Sequence, residues 1–189
     1  MDLPDNVLAA IKEHANDASG LVTSLAEYPT DVIDVVIYHR IHLHMKPSHA
    51  LKSYGQLREE FVDWNEVRIS PIREIQEQVS RGENSLELSV FIKDFLEFVH
   101  ADRHQVNLEP LVEENITDIR RYLKRIRNLE PAAIDVVLLL RKTHPVVPLT
   151  EGAIEELVAR GIVKEDDSRD RKMKSLFEEL GGDAALTFH

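Results

Sequence analysis

Apolar side chains recur along this chain at steps of three and four residues, with charged residues between them. Leu88, Phe91, Ile92, Phe95, Leu96 and Val99 form one such stripe, the mark of an amphipathic helix with a single buried face. Ile119, Tyr122, Leu123 and Ile126 repeat it further on, and Val32, Ile33, Val36, Ile37 and Ile41 give an earlier version. Thr30 is the expected N-cap of that earlier helix, with Asp31 in its first turn. Ser70 before Pro71 reads as a helix start, because proline at the first helical position loses no needed donor. Thr150 and Ser168 read as two more caps, and Gly161 and the pair Gly181–Gly182 as stops. Period-two alternation is nowhere sustained. The pattern predicts an all-α chain of about eight or nine helices with short connectors and a loose tail after Gly182. From Ala132 to Leu140 the only charge is Asp135, so that helix is expected to be enclosed on nearly all sides. A buried carboxylate there needs an arginine, Arg141 or Arg127, unless it points outward.

Composition narrows the chemistry. The 189 residues include no cysteine, which removes disulfides, thiolate nucleophiles, cysteine-ligated zinc and iron–sulfur clusters together. No apolar run is long enough to cross a bilayer and no signal pattern opens the chain, so no membrane association and a cytoplasmic location are expected. A formal net charge of −11 weighs against a general nucleic-acid binder without forbidding one basic face. Such a face exists in the sequence at Arg120, Arg121, Lys124, Arg125 and Arg127. The competing reading is the solvated side of the amphipathic helix, with Glu113, Glu114 and Asp118 as partners, and net charge favours it. His39 and His42 share a helix face beside His44 and His49 and are candidate zinc or nickel ligands. No carboxylate lies between His39 and His49, so polar packing is the better reading and no metal or other cofactor is expected. Trp64 reads as a packing anchor at a helix end.

The order of these features resembles the helix-hairpin-helix DNA glycosylases, the endonuclease III branch in particular. The residues that carry the resemblance are Ile126-Arg127-Asn128-Leu129-Glu130, the apolar helix through Val136-Val137-Leu138, the proline connector at His144-Pro145-Val146-Val147-Pro148, and the Thr150 helix ending Ala159-Arg160-Gly161-Ile162. Phe61-Val62-Asp63-Trp64-Asn65 before Ser70-Pro71 fits as well, and the likeness runs from about Tyr28 to about Leu180. It implies a helical barrel lobe over 30–144, and a second helical lobe built from 1–29 and 145–189 without an iron–sulfur cluster.

The same resemblance implies three chemical requirements. A glycine–apolar–glycine hairpin brings backbone N–H groups to a DNA phosphate; here it reads Asn128-Leu129-Glu130, with the apolar centre kept and both glycines replaced. The lysine that attacks the sugar carbon in bifunctional members falls on Ala132. The aspartate after the connector falls, in the same ungapped register, on Thr150. Asp135 and Glu151 are the substitute acids the sequence offers, although Glu151 also suits the first turn of a helix. The expected protein is therefore a degenerate glycosylase scaffold with weak or no DNA binding, whose partner is an unidentified protein or small ligand. A divergent base-excision glycosylase without lyase activity is the alternative.

Overall fold

The computed structural model describes residues 29–79, 84–142 and 149–179. Among these residues there are nine α-helices, one short 3-10 helix and no strand. The helices are α1 (Val32–Leu43), α2 (Pro47–Glu60), α3 (Trp64–Ile69), α4 (Ile72–Gln78) and α5 (Ser85–Arg103), then the 3-10 helix Glu109–Glu113, then α6 (Ile116–Leu123), α7 (Pro131–Lys142), α8 (Glu151–Ala159) and α9 (Arg169–Glu179). The N-terminal helix expected in the second lobe, the connector 144–148, the stop at Gly181–Gly182 and the tail lie outside the described residues. No described helix is long and apolar enough to cross a membrane.

Contacts divide the described residues into two compact units, one from Pro29 to Leu129 and the other from Glu130 onward. The boundary therefore falls inside the hairpin, whereas the sequence suggested the proline connector. Helix α7 belongs with α8 and α9.

In the unit 29–129, α5 supplies the expected stripe, and Leu88, Phe91, Ile92, Phe95, Leu96 and Val99 are all buried. It packs on α1, α3 and α4, while α2 packs on α1 and α4. Helix α1 departs from the amphipathic expectation. Besides its aliphatic residues it buries Tyr38, His39, Arg40 and His42, so it is enclosed on every face. Arg40 is accommodated because its Nη2 donates to Glu87 Oε1 at 2.7 Å and its guanidinium lies 4.9 Å from the centre of the Phe91 ring. Ile119, Tyr122, Leu123 and Ile126 are buried, with Ile126 already past the end of α6.

Two helix starts differ from the sequence reading by one residue. Asp31, not Thr30, caps α1, its Oδ1 accepting from the backbone of Ile33 at 2.8 Å and Asp34 at 3.3 Å. Asp and Thr are both good N-caps, and the register of buried residues decides between them. At the second start, Pro71 is itself the extended N-cap of α4, and Ser70 instead ends α3 by donating its hydroxyl to the Glu66 carbonyl. Lys93 of α5 closes the same turn, its Nζ donating to the carbonyls of Arg68 and Ser70 at 2.6 and 2.7 Å.

In the other unit, Ala132 through Leu139 are all buried, as the apolar run implied. Helix α8 ends as expected at Gly161, whose φ of +71° is comfortable only without a Cβ. Gly161 donates to Val158 at 2.8 Å and Ile162 to Leu157 at 2.9 Å, the paired bonds of a Schellman stop.

Candidate functional site

The hairpin grows out of the end of α6. Lys124, Arg125 and Ile126 wind on with backbone bonds of about 3 Å to Arg120, Tyr122 and Leu123, and Leu129 donates to Ile126 at 3.4 Å. Between them Asn128 takes the left-handed conformation, with φ +59°. Asparagine is the residue after glycine that best tolerates this region. The first glycine of the hairpin pattern is thus lost as a residue while the backbone conformation it would permit is kept. Glu130, at the second glycine position, is half-buried, and its carbonyl accepts from Ala133 at the start of α7. Asn128→Gly is expected to leave stability unchanged within about 0.5 kcal/mol, and Asn128→Val to cost about 1–2 kcal/mol, measured by urea unfolding.

The basic run is only partly committed to intramolecular pairs. Arg121 pairs with Asp118, one of the acids named as partners, and Arg125 with Asp102 at 2.8 Å. That second contact holds the Asp102 carboxyl below its usual range, chiefly through the hydrogen bond from Arg125. Arg125 also lies over the Phe98 and Tyr122 rings at 5.3 and 5.5 Å, and Arg103 over Tyr122 at 4.6 Å. Arg120 is half-buried. Lys124 and Arg127 are exposed and make no ion pair among the described residues.

The structure brings Asp135, Glu151 and Thr150 into the neighbourhood of a residue the sequence had not singled out. Arg169, the first residue of α9, donates from Nε and Nη2 to Asp135 Oδ2 at 3.0 and 2.9 Å. Its Nη1 reaches Glu151 Oε1 at 2.5 Å, and Nη2 also donates to the Leu149 carbonyl. The sequence offered Arg141 or Arg127 for Asp135; the structure adds Arg169, thirty-four residues further along the chain. Nothing local in the sequence marks that pairing, since its one cue is that Ser168 starts a helix. Asp135 is 1% exposed at its side chain and Arg169 19%, so this is a buried ion pair, while Glu151 is 62% exposed. Thr150 caps α8 as expected, Oγ1 accepting from Ala153 N at 3.2 Å. Ala132 is buried in the first turn of α7 and carries no functional atom.

The histidines fit polar packing. His39 and His42 are buried, His44 half-buried and His49 exposed. Burial, reinforced by His42 and Arg40, pushes the His39 pKa down to about 3, so its ring is neutral at physiological pH. No group of three His, Asp or Glu among the described residues is arranged to hold a metal ion. Trp64 is an anchor at the start of α3: it is buried, and its Nε1 donates to Asp34 Oδ1 at 2.7 Å.

Helical throughout its described residues, with a tight turn between α6 and a buried apolar α7, the chain has the helix-hairpin-helix DNA glycosylase fold, and comparison with solved structures bears this out. The endonuclease III of a trapped covalent DNA intermediate superposes with a TM-score of 0.65 at 14% identity, covering 100% of this chain and 85% of that one. Helicobacter pylori 3-methyladenine DNA glycosylase (MagIII), bound to 1,N6-ethenoadenine, superposes at 0.63 and 14% identity, covering 94% and 82%. In sequence, 103 residues are 31% identical to Protein ROS1A of Oryza sativa subsp. japonica. The match takes in 54% of this chain and 5% of that much longer protein. No family model matches.

Proposed function

We propose that this chain is a catalytically inactive protein of endonuclease III-like fold that serves as a non-catalytic binding or scaffold protein. The observation that carries the reading is the Arg169 clamp. Ala132 offers no amine, Thr150 offers no charge, and the two acids best placed to substitute, Asp135 and Glu151, both receive hydrogen bonds from one guanidinium. A carboxylate neutralised in this way is poorly suited to steady the positive charge that develops as a base departs. Lys142 is ten residues beyond Ala132 on α7, about 15 Å along the axis, too far to replace the missing amine in one pocket.

Borohydride treatment with duplexes carrying abasic, oxidised-pyrimidine or mismatched sites is expected to trap no covalent complex. Fluorescence titration with an abasic-site duplex at low salt is expected to show no specific complex that weakens steeply with salt. Sub-micromolar, salt-sensitive binding, or any trapped adduct, would refute the reading.

One observation favours a second reading. Lys124 and Arg127 stand exposed and, among the described residues, without ion pairs immediately before a hairpin whose left-handed turn is present at Asn128. A divergent glycosylase without a lyase step would use this face for DNA and Glu151 as its acid. Base release without strand cleavage, abolished by Glu151→Gln, is the result that would favour it.

A further inference from the structure

Trp64, Tyr54 and Tyr38 form a column of rings through the unit 29–129. The Trp64 and Tyr54 ring centres lie 6.4 Å apart, and Tyr54 meets Tyr38 edge-on at 5.4 Å. Tyr38 is fully enclosed and Tyr54 half-buried. Trp64, at the outer end, is buried, yet it forms part of the wall of a cavity of about 640 Å³ together with His100 and His104 at the end of α5. A small molecule in that cavity stands against the indole. Packing alone accounts for the rings.

What packing does not require is the acid between them. Asp34, in the first turn of α1, accepts from Trp64 Nε1 on Oδ1 at 2.7 Å, and its carboxylate also accepts from the Tyr54 hydroxyl. A neutral amide would satisfy the same two donors without the cost of burying a charge. A carboxylate adds basicity, and burial pushes the Asp34 pKa up against the pull of Arg58, 3.9 Å away. Burial, with Asp34 beside it, also pushes Tyr54 above the usual phenol range, so its hydroxyl keeps its proton until an electron leaves the ring. The Arg58 guanidinium lies 5.1 Å from the centre of the Trp64 ring. A positive charge there disfavours an indole radical cation and favours an indolyl radical that has passed its proton to Asp34.

We propose that Trp64, Asp34 and Tyr54 form a radical relay, which takes an oxidising equivalent from a small neutral one-electron oxidant at Trp64 and moves it to Tyr54, with Asp34 as the proton acceptor for both rings. In the first step the oxidant gains one electron and becomes an anion, the Trp64 Nε1–H bond breaks, and the proton goes to Asp34 Oδ1. In the second, Tyr54 gives an electron to the indolyl radical, Asp34 returns its proton to Nε1, and the Tyr54 hydroxyl proton passes to Asp34. The net change is a phenoxyl radical at Tyr54 and a protonated Asp34. An external one-electron reductant of the ascorbate class then supplies an electron to Tyr54, and Asp34 returns the proton. The relay uses none of the residues on which the inactive reading rests.

Trp64 is the chain's single tryptophan, so any indolyl radical is its own. Pulse radiolysis of the full chain with the azide radical as oxidant, followed by transient absorption, separates indolyl from phenoxyl. The indolyl signal is expected to decay as a phenoxyl signal grows, at one shared rate that does not depend on protein concentration. Tyr54→Phe keeps the ring and removes the hydroxyl, and it is expected to abolish that coupled growth and leave a longer-lived indolyl radical. Asp34→Asn keeps an acceptor for Trp64 Nε1 but removes the base, and it is expected to slow the transfer at least about tenfold with an unchanged circular dichroism spectrum. Tyr122→Phe, a change to a tyrosine outside the column, is expected to leave the rate unaltered. Failure to form the indolyl radical, coupled phenoxyl growth that persists in Tyr54→Phe, an unchanged rate in Asp34→Asn, or loss of the transfer in Tyr122→Phe would overturn the proposal.

Discussion

Arg169→Ala is expected to be the most destabilising single change among the charged residues described. It would strip Asp135 of a guanidinium that donates twice to one carboxylate oxygen, at a position 1% exposed to solvent. A surface pair contributes about 0–1 kcal/mol, whereas removing one partner of a buried pair costs about 3 kcal/mol or more. In a chain of this length that lowers Tm by roughly 6–12 °C. Glu151→Gln tests the contrast, because it breaks a contact to the same arginine at a side chain 62% exposed, and should cost under about 1 kcal/mol. Adding Asp135→Asn to Arg169→Ala should recover part of the loss, since the buried carboxylate charge disappears along with the arginine that faced it. Thermal and urea unfolding of the four proteins would check this. An Arg169→Ala cost no larger than that of Glu151→Gln would show that the clamp contributes little to stability.

The helices were legible because their signals are local. The stripe from Leu88 to Val99, the cap at Thr150 and the stop at Gly161 each rest on residues within a few turns of one another, and each is where the pattern put it. The errors at Thr30 and Ser70 are of one residue, where two neighbours are both chemically able to cap and only tertiary register chooses. The enclosure of α1 was less legible. His39, Arg40 and His42 mark it as amphipathic in sequence, and only the positions of Glu87 and Phe91 on a distant helix explain how Arg40 can be buried. Arg169 was invisible for the same reason: a pairing across 34 residues leaves no periodic trace. Asn128 is the instructive case. In sequence it reads as a lost glycine, yet its left-handed φ shows that the turn tolerates asparagine. What the residue change removes is the close approach a glycine allows, and what it preserves is the course of the chain.

The double substitution Ala132→Lys with Thr150→Asp is expected to yield neither a borohydride-trapped adduct nor strand cleavage above background, although it writes both expected catalytic groups back into the sequence. Thr150→Asp should fold well, because aspartate caps a helix as readily as threonine, and its stability should change by less than about 0.5 kcal/mol. The carboxylate would, however, inherit the capping bond to Ala153 N beside an arginine that already donates to Leu149 and Glu151. Its charge would be spent on the fold. Ala132→Lys is harder to accommodate. The position is 4% exposed, so the new side chain must displace neighbours or bury its amine, at a cost of about 1–3 kcal/mol. Burial at the N-terminal turn of α7 would lower the amine's pKa, which favours the nucleophilic form. A usable nucleophile still needs its substrate held in place. Glu130 stands where a glycine would let the backbone approach a phosphate, and its carboxylate adds repulsion to the lost contact. Adding Asn128→Gly and Glu130→Gly to the pair is therefore the change expected to raise DNA affinity, and the double variant alone is not. A trapped adduct from the double variant would show that phosphate binding at the hairpin is dispensable on this scaffold. An adduct from the unaltered chain would remove the inactive reading altogether.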